Sequence, residues 1–460
     1  MQKRERRKQN NMINVIPLLK KLAFPVIAVL IIFGTHFSLL DYAALALFAV
    51  LILVFDEGYG FYLLVFFLNM ANIFKPGPSS TSFFTYVILL YVAKLIFLKK
   101  QIPPLVLLFA LYIFATQFVN QNLDLLKSIK LIFYILMVHY VINSKRSFDT
   151  ERVLGLYVAG VIMASLTAFL DSDFFRISAL SKTKVLGMSY GYGVVYRFSG
   201  LDTDPNYYSV ALIISLCIVV LFYHKKKIKP WLAIALFACL LTFVVLTYSK
   251  SALIMTALPV VCLFYGNQKL RRHGSQFFLV VIVTVFLMYV ISGKADFLEI
   301  VMARFTSKGS DLNALTTGRS STWAEYINYL RGNIPAFLFG SGVDVSHVTS
   351  HIAHNTYIEI LFSVGLLGGT LFLASLRTAH EKSGAKKNLL NCCIGVCMFI
   401  MYFFLSEMYY YDSVFHLILA KIVFDMDLSF SSNKNASEVR QFNSRDYVFP
   451  LKSKLRGAVE

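Results

Sequence analysis

The stretch "HIAHNTYIEILFSVGLLGG", His351–Gly369, sets a polar opening directly against an apolar run. From Tyr357 to Leu376 the only charged residue is Glu359. About 20 apolar residues are what a helix needs to cross the hydrocarbon core of a bilayer. Backbone polar groups inside lipid have no water to bond, so the run must be a helix. Asn355 stands where a side-chain oxygen caps the first free N–H groups of such a helix. The stretch therefore predicts a membrane helix that meets water at Asn355, with His354 on the boundary. The positive end of the helix favours a neutral imidazole there, which can accept a proton. An interfacial polar residue with no chemistry is the other reading. Glu359, one turn in, is an ionisable group inside an apolar run and a second candidate proton acceptor.

Similar runs recur along the chain. Roughly fourteen apolar stretches, from Leu22–Leu39 to Val414–Phe424, fit membrane helices, so about 11–14 spans are expected. The composition agrees, with 57% hydrophobic and 15% charged residues in 460. The expected fold is an all-α polytopic membrane protein forming a single integral domain over 1–460. The first run has no small-residue cleavage site after it and reads as a retained helix, not a signal peptide.

The net charge of +19 does not point to nucleic acid, because of where the charges lie. They fall in the basic start (1–21), in "NSKRSFDTER" (Asn143–Arg152), "HKKKIK" (His224–Lys229), "KLRRH" (Lys269–His273) and "EKSGAKK" (Glu381–Lys387), and in the tail (425–460). These are alternate loops, and positive residues near helix ends stay in the cytoplasm. Both termini are accordingly expected inside. The six cysteines sit in apolar runs and suggest neither disulfides nor a metal pair.

This topology leaves two long outward loops, 171–206 and 292–355. In the first, Arg197 precedes Asp204-Pro205-Asn206, a turn and cap from which a helix starts near Tyr207. A guanidinium there can grip a phosphate in two-pronged fashion, or bind headgroups or a local carboxylate. Asp202 and Asp204 read as turn and capping residues, with a hard cation as the weaker alternative. In the second loop, Thr322–Leu330 reads as an amphipathic helix with Trp323, Tyr326 and Leu330 on one side, preceded by Arg319. Helix starts attract phosphate. "FGSGVD", Phe339–Asp344, is a glycine turn that would let backbone approach a ligand closely. In "TYSKSALI", Thr247–Ile254, Lys250 sits in a short outer hairpin and could hold an anion or snorkel to lipid phosphate.

Taken in order, "RFSGLDTDPN", "SKSALI", "TTGRSSTW…FGSG" and "AHNTYIEILFSVGLLGG" resemble the O-antigen ligase/polymerase family of bacterial envelope polysaccharide enzymes. The resemblance runs from about Arg197 to Gly369. It implies a C-type membrane glycosyltransferase-like architecture that transfers glycan on the outer face of the bacterial cytoplasmic membrane. The donor would be an oligosaccharide on undecaprenyl pyrophosphate, and the product a growing polysaccharide. Membrane lipids, a chain-length regulator and a flippase would be its companions, and no cofactor or metal is expected. By motif, pyrophosphate binding carries to Arg197 and Arg319, and acceptor activation to His354 beside Asn355. Lys250 stands where the family pattern has arginine. Polymerases of this kind also carry an Arg-x10-Gly spacing in both outer loops, which Arg176–Gly187 and Arg331–Gly342 fit. An O-antigen-type ligase using another acceptor and a lipid-linked oligosaccharide transporter are the alternatives. A carrier usually shows repeated halves, and none is visible in the sequence.

Overall fold

The computed structural model describes residues 19–34, 37–75, 81–99, 101–121, 124–143, 148–170, 197–202, 204–264, 319–342, 353–376, 395, 397 and 411–425. All of them lie in one unit, Met1–Asp427. Every regular element among them is helical: α1 (19–34), α2 (Ser38–Val54), α3 (Glu57–Phe67) running on as a 3-10 helix (Leu68–Phe74), α4 (Phe83–Lys99), α5 (Pro104–Val119), α6 (Leu125–Asn143) and α7 (Thr150–Leu170), then α8 (Pro205–His224), α9 (Pro230–Leu246), α10 (Lys250–Met255), α11 (Ala257–Phe264), α12 (Arg319–Gly332), α13 (Ile334–Phe339), α14 (Thr356–Leu376) and α15 (Tyr411–Asp425).

Twelve of the expected apolar runs fall on these helices; Phe277–Ile291 and nearly all of Leu389–Leu405 lie outside the described residues. Among the described residues, four helices are long and apolar enough to cross a membrane: α6, α7, α8 and α14. Others are shorter than the expected run. α3 has 11 residues, but its 3-10 continuation rises about 2 Å per residue, so the two together approach 30 Å. Almost all of α3 is buried, as a helix apolar all round should be. The Ala252–Tyr265 run divides at Thr256 into α10 and α11.

The architecture rests on pairs of adjacent helices, among them α8 on α9 and α7, α3 on α7, α15 on α6, and α14 on both α5 and α13. α8 has the deepest position, with nearly all residues from Tyr208 to Leu221 buried.

One feature departs from the expected pattern. α14 is not continuous: Gly365 adopts φ 66°, ψ −175°, a backbone region essentially restricted to glycine. The break frees carbonyls that a straight helix would use internally. Ser341 N donates to Phe362 O at 2.8 Å and Gly342 N to Ser363 O at 3.1 Å. The Tyr112 hydroxyl, on α5, sits 3.0 Å from Val364 O and 2.9 Å from Phe339 O. Gly340 shares the unusual backbone, at φ 89° and ψ 164°. A Cβ on Gly340 would lie 2.5 Å from Ser363 O, and one on Gly365 would lie 2.4 Å from Gly340 N. The Gly340–Gly342 turn thus approaches protein backbone, where a ligand was expected. Gly365 breaks the helix, and Gly368 packs closely against the Tyr112 ring.

Gly365→Ala is expected to destabilise the protein by at least about 1–3 kcal/mol from backbone strain alone. Gly369→Ala adds a methyl that meets only Ile360 Cγ2 at 3.7 Å; it should be neutral or stabilising by up to about 1 kcal/mol. Thermal unfolding of the two purified variants in detergent checks the contrast, and equal midpoints would contradict it.

Candidate functional site

The site assembles where α8 begins. Asp204 caps that helix, its Oδ1 accepting from Asn206 N at 2.8 Å, and the helix starts at Pro205 as the Asp-Pro-Asn sequence requires. Arg197 is 8% exposed. Its Nε donates to Thr247 O at 2.8 Å and its Nη2 to Asn206 Oδ1 at 2.9 Å. One guanidinium therefore ties the end of α9 to the start of α8, and Phe198 N donates to Leu246 O alongside it. Gly200 turns the chain at φ 56°, lying flat on the Tyr208 ring where a Cβ would overlap it. Because Arg197 binds Thr247, it also fixes the hairpin that carries Lys250, the first residue of α10. Tyr248, in that hairpin, holds a left-handed backbone at φ 48°, and burial raises its hydroxyl pKa.

Arg319 lies close enough to the same helix start for charges there to act on it. It is the first residue of α12, which begins earlier than the expected Thr322 and so includes the arginine. Burial lowers its pKa from the usual arginine value, while Tyr207 and Asp204 act in the opposite sense, stabilising its charge. Arg197 thus bonds this helix start while Arg319 feels its charge, and Lys250 lies on the adjoining hairpin.

The first turns of α12 lead to His354. Trp323 Nε1 donates to Ala353 O at 2.7 Å, tying α12 to the residue before the histidine. Tyr326 and Leu330 are buried with Ala336, Ala353 and Phe362, and the Tyr326 ring meets Phe362 edge-on at 5.0 Å. Asn355 is fully buried and its Oδ1 accepts from Tyr357 N (3.1 Å) and Ile358 N (3.2 Å), the cap read from sequence. His354 is half-buried with φ 47°. A side chain in the left-handed region is uncommon outside glycine and is held there by its surroundings. Glu359 faces α12: burial raises the Tyr326 hydroxyl pKa, and the Glu359 charge pushes it further the same way.

Not every candidate joins this group. Arg331 is exposed in the last turn of α12, twelve residues beyond Arg319, or about 18 Å along the helix. Gly342, its partner in the Arg-x10-Gly spacing, bonds Ser363 instead. Arg176 and Gly187 lie outside the described residues. Tyr207, Asn206 and Trp323 belong to the site without having been singled out for it. Asn206 and Tyr207 had a visible signal in the turn that follows Arg197.

The fold is that of an all-helical polytopic membrane protein, with basic side chains near the start of α8. Residues 234–373 match the family profile described as O-antigen ligase, a segment covering less than a third of the chain. The matched residues include Lys250, Arg319, His354, Asn355 and Glu359, while Arg197 precedes them. No curated protein and no solved structure matches the chain. Over that segment the chain is similar to the O-antigen ligase family.

Arg197→Ala removes both bonds and leaves the Thr247 carbonyl without this buried donor. A loss of about 1–3 kcal/mol in stability is expected, larger than that of Arg319→Ala. Thermal unfolding in matched detergent reads the difference; a more stable Arg197→Ala than Arg319→Ala would refute the clamp role.

Proposed function

We propose that the protein polymerises lipid-linked repeat units into a surface polysaccharide on the outer face of the cytoplasmic membrane, with both termini inside. The observation that carries this reading is the meeting of Arg197 and Arg319 at one helix start, with His354 tethered to the Arg319 helix through Trp323 and Ala353. A sugar pyrophosphate is a good leaving group, so the site needs charge stabilisation more than a strong acid. Guanidiniums aimed at the departing phosphates supply it. In the reaction, the acceptor hydroxyl oxygen bonds to the anomeric carbon while the bond from that carbon to the pyrophosphate breaks. The pyrophosphate leaves with the electron pair, held by Arg197, Arg319 and Lys250. His354 takes the hydroxyl proton; Glu359 is the rival acceptor. Attack opposite the leaving group inverts the anomeric centre. Since arginines provide the positive charge, the reaction is proposed to be metal-independent.

A ligase reading uses the same residues with a different acceptor. A carrier reading draws on the broken α14, because discontinuous helices are common in transporters. Against it, the carbonyls freed at the break are bonded by Ser341, Gly342 and Tyr112, where a carrier would offer them to its cargo.

Purified protein incubated with lipid-linked repeat units should yield a ladder of products that persists in excess EDTA. His354→Ala should lower the rate about 10²–10⁴-fold, the range for a lost general base. Arg319→Ala should lower it about 10²–10³-fold, as for a lost transition-state donor. Both variants should remain in the membrane. Transfer of a single unit to another acceptor would favour the ligase, and unchanged ladders in both variants would remove these residues from the site.

A further inference from the structure

A chain of hydrogen bonds reaches Arg197 from the far side of the fold. The Arg197 Nη2 donates to Asn206 Oδ1 at 2.9 Å, so the place of Asn206 sets the direction of the guanidinium. Asn206 is itself held, its N and Nδ2 donating to Asp204 Oδ1 at 2.8 and 3.0 Å. Asp204 N donates in turn to Asp202 Oδ1 at 3.4 Å. The same Asp202 oxygen accepts from Asn72 Nδ2 at 3.0 Å, across 130 residues of sequence. The Tyr411 hydroxyl, at the start of α15, donates to Asn72 Oδ1 at 3.3 Å. An unbroken relay thus runs from α15 through the 3-10 helix to the arginine.

The chemistry of the relay fixes its direction. A side-chain amide has its acceptor at one end and its donors at the other. Tyr411 donates to the Asn72 oxygen, so the NH2 group faces Asp202. A half-buried carboxylate that receives two N–H groups is held in place as an anion. Asp412 follows Tyr411 and lies near Asp202. Burial and the Asp202 charge hold the Asp412 carboxyl well above the usual carboxylate range, while Lys75 acts in the opposite sense. A neutral Asp412 leaves the negative charge on Asp202, where the amides donate. Tyr208 and Tyr134 are the phenols that feel this pair, from α8 and α6. The 3-10 helix that carries Asn72 has 7 residues, long for its kind, and such stretches often mark functional positions. Asn72 and Tyr411 both lie outside the matched segment 234–373.

We propose that Asn72 and Tyr411 are positioning residues for glycan transfer, aiming Arg197 at the departing pyrophosphate through Asp202, Asp204 and Asn206. The inference rests on the glycan-transfer reading above and adds to it two residues remote from Arg197 in sequence.

Asn72→Asp tests this, because it keeps the shape and turns the donor into an acceptor. At about pH 8 its carboxylate opposes Asp202 and breaks the relay, whereas at about pH 5 a proton held between the two carboxyls restores the donor. The transfer rate of Asn72→Asp, taken as a ratio to wild type at each pH, should recover about tenfold over that range. Asn72→Ala should be slower by about tenfold to a hundredfold at every pH, and Tyr411→Phe by about threefold to tenfold. Calorimetric binding of inorganic pyrophosphate to the full chain in detergent gives a second readout and should follow the same pattern. Each variant is measured below its own unfolding midpoint; should Asn72→Ala fail to fold, the pH ratio of Asn72→Asp decides. An unchanged rate in Asn72→Ala, or a deficit in Asn72→Asp that does not vary with pH, would overturn the inference and leave glycan transfer standing. If the wild type transfers no glycan, yet its pyrophosphate affinity falls in Asn72→Ala and recovers with acid in Asn72→Asp, the functional reading falls and the relay stands. A wild type that neither transfers glycan nor binds pyrophosphate removes both.

Discussion

The outer half of the molecule depends on two glycines that touch. Gly340 and Gly365 approach so closely that neither can carry a Cβ, and the contact lets the 340–342 turn enter the break in α14. A membrane helix can lose its internal bonds only where protein supplies replacements. Here the Ser341 and Gly342 amides and the Tyr112 hydroxyl do so. The consequence is positional. α13, the turn and the outer half of α14 form one piece, and α12 is bound to it through Tyr326, Phe362 and the Trp323–Ala353 bond. His354 stands in that piece, so its place relative to Arg319 is set by backbone packing and not by a free loop.

A second constraint joins this piece to the rest. The start of α8 is where chain segments far apart in sequence converge: Arg197 from one side, Thr247 at the end of α9, and Arg319 from α12. Arg197 does two jobs with one group, since the side chain read from sequence as an anion ligand is also a strut. Deleting it would therefore loosen this join whatever else the side chain binds.

The sequence revealed features whose partners lie within a few residues. The caps at Asp204 and Asn355 were legible because a side-chain oxygen bonds an N–H two or three residues on. Most apolar runs became helices for a similarly local reason. The break at Gly365 was hidden, since its partners are Gly340, in another element, and Tyr112, 252 residues away. Between Arg331 and Gly342 the chain changes helix, α12 stopping at Gly332 and α13 beginning at Ile334, a break that spacing alone does not reveal. The glycines near Gly365 looked alike as letters, and only φ and ψ separate a breaker from a packing contact.

The two caps have a further consequence. Asp204 and Asn355 already occupy amides at the starts of α8 and α14. Neither helix can then offer those amides as a cradle for phosphate in the way glycine-rich nucleotide loops do. Anion recognition of the kind proposed would then fall to side-chain cations, whose attraction weakens as ions accumulate around them. On the proposed function, the protein would hold its anionic partner as an ion exchanger does, with a grip that follows the surrounding salt.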